Sequence, residues 1–337
     1  MRARHLIGFV FLLSALSRVS FATPIEEAGF VSIGGTEQWL TIKGANRDNP
    51  VVLFVHGGPG DAISPFADAM FAGWEKDFTL VQWDQRGAGR SYGRSGPSIE
   101  PTLTFERIVL DGVEVAEYLT THVHKKKIAI VGGSWGSLVG IALASKRPDL
   151  FTAYVGTAQL VNMRENSRAS YERVLAYARD TKDAAAIDEL TPLGPQPWIG
   201  YAKWRTFRKW RVAYQAKLAT ASKPDMKPAA EYSTPKDLQD YEAADDMNFA
   251  HFNFIGQSMT GPMMDIDLRA LGRDFRIPVY IIQGAADMNA VPEIARDYLD
   301  WIRAPKKKFF LVPGTGHADS NASLAVLREV LTTRVAR

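Results

Sequence analysis

A mostly parallel β-sheet with helices on both faces, interrupted late by a helical insertion, is the fold class that the sequence predicts. Several short runs are apolar throughout instead of alternating, as strands buried on both faces require. Helical patterns separate those runs, the order expected of a parallel sheet. Strand-like runs then disappear between Gln159 and Phe275, which locates the insertion.

The elements follow in order. Met1 to Ala22 carries Arg2, Arg4 and His5, an apolar run from Leu6 to Leu16, and small residues at Ser20 and Ala22. That is the three-part form of a secretory signal peptide, and the apolar run is well short of the roughly 20 residues a bilayer span needs. Cleavage after Ala22 is expected, leaving no stable membrane anchor and a secreted or periplasmic chain. Gln38–Ile42 and Val51–His56 read as strands, the second stopping at Gly57, Gly58, Pro59 and Gly60. Phe78–Trp83 repeats the pattern before Asp84, Gln85, Arg86 and Gly87. Thr104–Thr121 places Ile108, Val109, Val113, Ala116 and Leu119 at the 3.6-residue period of an amphipathic helix. Ile128–Val131 is a strand, and Leu138–Ala144 lies in a helix ending before Pro148. Ala153–Gly156, Pro278–Gln283 and Lys308–Val312 are further strands. The expected organisation is a signal peptide over 1–22, a core from 23–158 and 276–337, and a helical cap over 159–275.

The chain has 337 residues, 46% hydrophobic and 23% charged, the balance of a globular protein large enough for a substantial core. It contains no cysteine, which excludes disulfide scaffolds, thiolate metal sites and a cysteine nucleophile. The formal charge of +3 equals the three arginines of the first 22 residues, so the remainder is neutral and offers no nucleic-acid surface. No H-E-x-x-H, Walker loop or G-x-G-x-x-G occurs, and neither a metal nor a cofactor is expected.

The chemistry is expected around Gly132, Gly133, Ser134, Trp135 and Gly136, a G-x-S-x-G between a strand and a helix. A sharp strand-to-helix turn holds a serine Oγ above the sheet edge, and small flanking residues let the backbone pass closely. A serine hydroxyl needs a base, itself held by a carboxylate. Among six histidines, His5 lies in the signal, His122 and His124 sit by Lys125–Lys127 at a solvated helix end, His251 reads as a packed cap histidine, and His56 reads as a brace for the glycine loop. His317 follows the last strand through Pro313–Gly316 and is the candidate base. Asp287 follows Pro278–Gln283 at the carboxyl end where such sheets place their sites, ahead of Asp265, Asp267, Asp274 and Asp319 as the candidate carboxylate. The order Ser134, Asp287, His317 is that of a triad on this fold. The backbone N–H groups of Gly58 and Trp135 are the expected oxyanion donors, Pro59 having none to offer. Asp84 and Arg86 read as braces between loops.

With His56–Gly60, Asp84–Gly87, Gly132–Ser137, Asp287 and Gly316–His317 in register, the chain resembles the α/β-hydrolase family in its proline iminopeptidase-like branch, over about Phe30 to Val335. The resemblance implies a serine hydrolase with Ser134 as nucleophile, His317 as base and Asp287 as orienter, without cofactor. It implies an acyl-enzyme route for esters or amides of small molecules or short peptides. One motif departs: aminopeptidases of the branch carry a Trp-Glu-Gly in the cap whose glutamate binds the substrate amino group. Here the comparable helix has Trp204-Arg205 and Trp210-Arg211. Glu231 and Glu242 are the candidates to substitute, neither assignable, and no substrate-binding residue is identified from sequence. A carboxylesterase without aminopeptidase activity and a noncatalytic binding protein on the same fold remain the alternatives. Epoxide or carbon–halogen hydrolysis normally needs a carboxylate where Ser134 stands.

In the cap, Trp198, Tyr201, Trp204, Phe207, Trp210 and Tyr214 lie among basic residues, after a rigid turn at Leu193–Pro197. They read as packing between cap and core, or as a pocket wall for apolar or aromatic acyl groups. Arg205, Arg208 and Arg211 read as solvated surface arginines, with an anionic substrate group as the other reading.

Overall fold

The computed structural model describes residues 23–335, so the segment read as a signal lies outside them. β1 (Ile25–Ile33) and β2 (Thr36–Gly44) form an antiparallel hairpin. Its turn is Gly34–Gly35, both at positive φ, where the right-handed twist of the strands favours glycine. β1 is absent from the sequence expectation because Glu26 and Glu27 dilute its apolar pattern, although the Gly-Gly pair before a strand is a hairpin signal.

β3 (Val51–Val55), α1 (Ala67–Met70), β4 (Thr79–Trp83), α2 (Gly89–Ser95), α3 (Phe105–His122), β5 (Ile128–Gly133), α4 (Trp135–Lys146) and β6 (Phe151–Thr157) follow. Between β6 and β7 the chain adds α5 (Met163–Asp180), α6 (Ala184–Leu190), α7 (Tyr201–Leu218) and α8 (Pro235–Asn253), and no strand of the sheet. β7 (Val279–Gly284), α9 (Pro292–Trp301), β8 (Lys307–Val312) and α10 (Asn321–Val330) complete it. The sheet order is β1-β2-β4-β3-β5-β6-β7-β8, antiparallel at β1/β2 and β2/β4 and parallel beyond.

Side chains alternate across the pleat, and the core divides accordingly. Leu53, Val55, Ile130 and Tyr154 pack with α3 and α4 through Ile108, Val115, Leu138 and Ile141. Val52, Phe54, Val131 and Val155 pack on the other face with Leu324 and Leu327 of α10 and the aromatic group Phe71, Trp74 and Phe78. Both faces are therefore covered, which explains why these strands read as unbroken apolar runs. α3 starts where the Thr104 hydroxyl accepts from Arg107 N at 3.0 Å, a side-chain cap for an orphan N–H.

A buried ion pair ties the loop after β4 to α3. Arg86 donates Nε and Nη2 to Asp111 at 2.6 and 3.0 Å, and Nη2 also reaches Gly34 O in the first hairpin. Asp84 accepts from Ser64 Oγ at 2.6 Å and Arg90 N at 2.9 Å. Asp84 and Arg86 are thus the loop braces that their position at a strand end suggested.

Candidate active site

The carboxyl ends of β3, β5, β7 and β8 bring together the glycine loop, Ser134, Asp287 and His317. Ser134 sits at φ 51° and ψ −118°, a conformation a residue with a Cβ holds only where its surroundings fix it. Its N–H donates to Thr157 O at 3.0 Å, and its carbonyl accepts from Ser137 N at 2.8 Å and Ser137 Oγ at 2.6 Å. The flanking glycines are sterically required. A Cβ on Gly136 would lie 1.9 Å from Val55 O, and one on Gly132 would lie 2.3 Å from Gly136 O. The small-residue pattern therefore reflects the turn passing directly against the end of β3.

Ser134 Oγ stands 2.9 Å from His317 Nε2, and His317 Nδ1 stands 3.0 and 3.2 Å from Asp287 Oδ2 and Oδ1. An ionised carboxylate only accepts, so Nδ1 carries the proton and Nε2 presents its lone pair to the serine hydroxyl. Asp287 is fully buried, and its oxygens also accept from Asn289 N and Ala290 N, both at 2.8 Å, and from Gln283 Nε2 at 3.2 Å. These donors satisfy a charge that would be costly to bury alone. Gly58 and Ser134 line one cavity, Trp135 N opens α4, and neither the Gly58 nor the Trp135 N–H has a partner among the described residues. The first turn of α4 adds its dipole at the same point.

The other candidates go elsewhere. His56 Nδ1 donates to Gly57 O at 2.9 Å and Nε2 accepts from Gln85 N at 3.1 Å, while burial pushes its pKa down to about 4 and keeps it neutral. His251 Nε2 donates to Leu103 O, and His122 meets Glu27 at the end of α3. Asp265, Asp267 and Asp274 pair with Arg164, Arg269 N and Arg303, and Asp319 accepts from Ser323 Oγ.

The cavity above Ser134 encloses about 140 Å³. Met163, Met264, Trp204, Phe207 and Phe249 give it an apolar wall. Gln196 lines it too, and its buried Oε1 has no partner among the described residues. α7 starts at Tyr201, and Trp198 precedes it outside any helix, its Nε1 donating to Gly194 O at 2.9 Å. Trp198, Phe207 and Tyr214 pack mainly within the cap's own core and not, as expected, between cap and sheet, while Trp204 and Phe207 line the cavity. The solvated reading of the arginines fails at one position. Arg205 and Arg208 are exposed over Tyr201 and Trp204, but Arg211 turns into the cavity and donates to Asn289 Oδ1. Glu231 and Glu242 are exposed and do not line the cavity.

Two residues near His317 and Asp287 were not identified from sequence, and a third, Arg211, was read first as a surface residue. Asn289 Nδ2 is 3.0 Å from His317 Nε2, and Gln215 Oε1 accepts from Met288 N at 3.0 Å, docking α7 on the Asp287 loop. Arg211 lies one turn before Gln215 on the same helix face.

The profile of the serine aminopeptidase S33 family matches residues 47–321. The chain belongs to this family. It is a hydrolase with the α/β-hydrolase fold. It is 28% identical over 296 residues to the probable aminopeptidase YbaC of Bacillus subtilis, covering 85% of this chain and 89% of that protein. Over 122 residues it is 34% identical to a proline iminopeptidase of Neisseria meningitidis, 36% of each chain. The crystal structure of the Mycobacterium smegmatis proline iminopeptidase superposes with a TM-score of 0.64 at 20% identity, over 92% of this chain and 97% of that one, which shows the shared fold. Among the described residues, no helix of this S33 hydrolase is long and apolar enough to cross a membrane.

Proposed function

We propose that this S33 hydrolase cleaves ester or amide bonds of small substrates through an acyl-enzyme on Ser134. The observation that carries the reading is the hydrogen-bonded chain from Ser134 Oγ through His317 to Asp287. His317 Nε2 takes the Oγ proton as Oγ attacks the carbonyl carbon, and Gly58 and Trp135 N–H groups receive the developing oxyanion. The bond to the leaving group then breaks, and Nε2 returns the proton to the departing nitrogen or oxygen. Water repeats the sequence from the other side, its proton passing to Nε2 and then to Oγ, to release the acid. Asp287 holds the imidazole tautomer and stabilises the imidazolium.

An ester or neutral-amide substrate is favoured over a free amino terminus by one observation: among the described residues lining the cavity, none is an aspartate or glutamate. A substrate ammonium there would lack a partner and would be costly to desolvate. The test compares kcat/KM on proline β-naphthylamide, its N-acetyl form and p-nitrophenyl acetate. Efficient ester cleavage without preference for the free amine is expected. Strong preference for the free amine would assign aminopeptidase activity and require an ammonium site outside this cavity. We also propose export, with the mature chain beginning at or near Thr23. Intact-mass measurement on protein from the host's envelope or medium tests that, and recovery only of chain starting at Met1 refutes it.

A further inference from the structure

Arg211 is the only cationic residue lining the cavity among the described residues. Its place there is built by α7, whose inward face runs Trp204, Phe207, Arg211, Tyr214 and Leu218 at alternating spacings of three and four, the stripe a helix buries. Gln215 fixes that face against the loop carrying Asp287, Met288 and Asn289. The guanidinium packs over the Phe207 ring at 5.9 Å and has Asn289 Oδ1 as its one hydrogen-bond acceptor among the described residues. Asp287 is the carboxylate that acts on it electrostatically, but the Asp287 oxygens are engaged by His317, Gln283 and two backbone N–H groups, and the two residues form no ion pair. Burial and the neighbouring Arg208 push the Arg211 pKa down, against the pull of Asp287, to about 10, so the group stays charged at neutral pH. A fork of five donors with one acceptor used, in a cavity whose other polar lining residues, among them Ser134, Asn166, Gln196 and Asn253, are all uncharged, matches a planar anion.

The position of the charge identifies which part of a substrate it meets. Asn289 takes the guanidinium on its Oδ1 and places its Nδ2 3.0 Å from His317 Nε2. Arg211 is therefore one amide side chain away from the nitrogen that must protonate the leaving group, whereas the oxyanion donors belong to the β3 loop and to α4. Resting on the acyl-transfer reading above, we propose that Arg211 binds a carboxylate on the leaving group, so that the substrates are amides or esters of uncharged acyl groups whose departing amine or alcohol carries a carboxylate close to the scissile bond, as N-acyl amino acids do. A single cation suits a monoanion better than a phosphate dianion, and the methionine and aromatic walls suit an apolar acyl part.

Matched esters test this with the full-length enzyme: O-benzoylglycolate against O-benzoylglycolamide for the leaving-group side, and monophenyl adipate against phenyl hexanoate for the acyl side. The expected wild-type kcat/KM is at least tenfold higher for O-benzoylglycolate than for its amide, with no such preference in the acyl-side pair. In Arg211→Met the leaving-group ratio falls to about one or below, and Arg211→Lys restores part of it. A purely structural arginine would lower all four rates together and leave the ratio unchanged, which overturns the proposal. A wild-type ratio near one, or a preference confined to the acyl-side pair, also overturns it, and neither result depends on the variants folding. Fluorophosphonate labelling of the same wild-type samples separates the two levels. Labelled, ester-cleaving enzyme with a ratio near one refutes the Arg211 assignment alone, and enzyme that neither labels nor cleaves any of the four esters refutes the acyl-transfer reading and this assignment with it.

Discussion

Replacing Gly136 by alanine probes how closely the position of Ser134, the proposed nucleophile, depends on the packing of one backbone against another. The added Cβ would sit 1.9 Å from Val55 O and 2.5 Å from His56 O, both backbone atoms of the central sheet and its following loop. Neither can rotate away as a side chain would. Restoring an ordinary contact requires the start of α4 to retreat from β3 by about an ångström or more, and Ser134 is two residues away on the same turn. In the proposed mechanism the hydroxyl must stay within hydrogen-bond reach of His317 Nε2, now at 2.9 Å, and keep its carbonyl target against the Gly58 and Trp135 N–H groups. A misplacement of about 1 Å costs on the order of 10²-fold in rate. The expectation for Gly136→Ala is therefore a kcat on p-nitrophenyl acetate lower by about 10²-fold or more. Far-UV circular dichroism and a thermal melt establish that the fold survives. Gly29→Ala is the control: a Cβ there meets no atom within 4 Å, and wild-type kcat is expected. A folded Gly136→Ala enzyme with full kcat would refute the claim that close passage of the turn against β3 positions the nucleophile.

Other perturbations report on the scaffold that holds the site. Burial raises the Asp84 pKa from 3.8 to about 6, its hydrogen bonds from Ser64 and Arg90 N offsetting only part of the cost. A carboxyl whose pKa is raised on folding contributes stability below its unfolded value that is lost as pH rises through the folded one. Between about pH 4 and 6, wild type should therefore lose on the order of 2–3 kcal/mol relative to Asp84→Asn, read from urea midpoints across that range; a constant difference between the two proteins would refute the raised pKa. Asp111→Asn leaves Arg86 buried without its bidentate partner and should destabilise by roughly 3–5 kcal/mol in the same assay. A loss below about 1 kcal/mol would mean that solvent or another group compensates Arg86. Asp287→Asn, if it retains its fold, should lower kcat by roughly 10⁴-fold through loss of the imidazole tautomer, and near-wild-type kcat would remove Asp287 from the mechanism.

The core strands were legible because burial on both faces leaves a direct mark on composition: Val51–Val55, Ile128–Val131 and Val279–Ile282 are apolar whichever way the side chain points. Ser134 and Asp287 were legible because each follows such a strand, and His317 because it follows the edge strand β8 through a glycine loop, so the position of all three at one end of the sheet follows from topology. β1 was harder to read, since an outer strand paired on one edge carries Glu26 and Glu27 without penalty. Asn289 was not legible at all, and for Arg211 the sequence offered two readings, solvated or facing an anionic substrate group, without deciding between them. Whether Arg211 faces solvent or cavity depends on which side of α7 docks on the Asp287 loop, and Arg205, Arg208 and Arg211 look alike until Gln215 is seen holding that loop. The orientation of Asn289 is set by contacts to Arg211 and His317, which come from segments 78 and 28 residues away.

The most direct measurement is covalent capture of the nucleophile. Treatment with a fluorophosphonate, in which the serine oxygen forms the P–O bond as fluoride leaves, followed by intact-mass and peptide mapping, should give one adduct per chain located on Ser134. Ser134→Ala should give none, and His317→Ala should react far more slowly. Absence of an adduct on folded wild-type protein, or an adduct on a residue other than Ser134, would contradict the assignment of Ser134, His317 and Asp287 as the reacting group of this hydrolase.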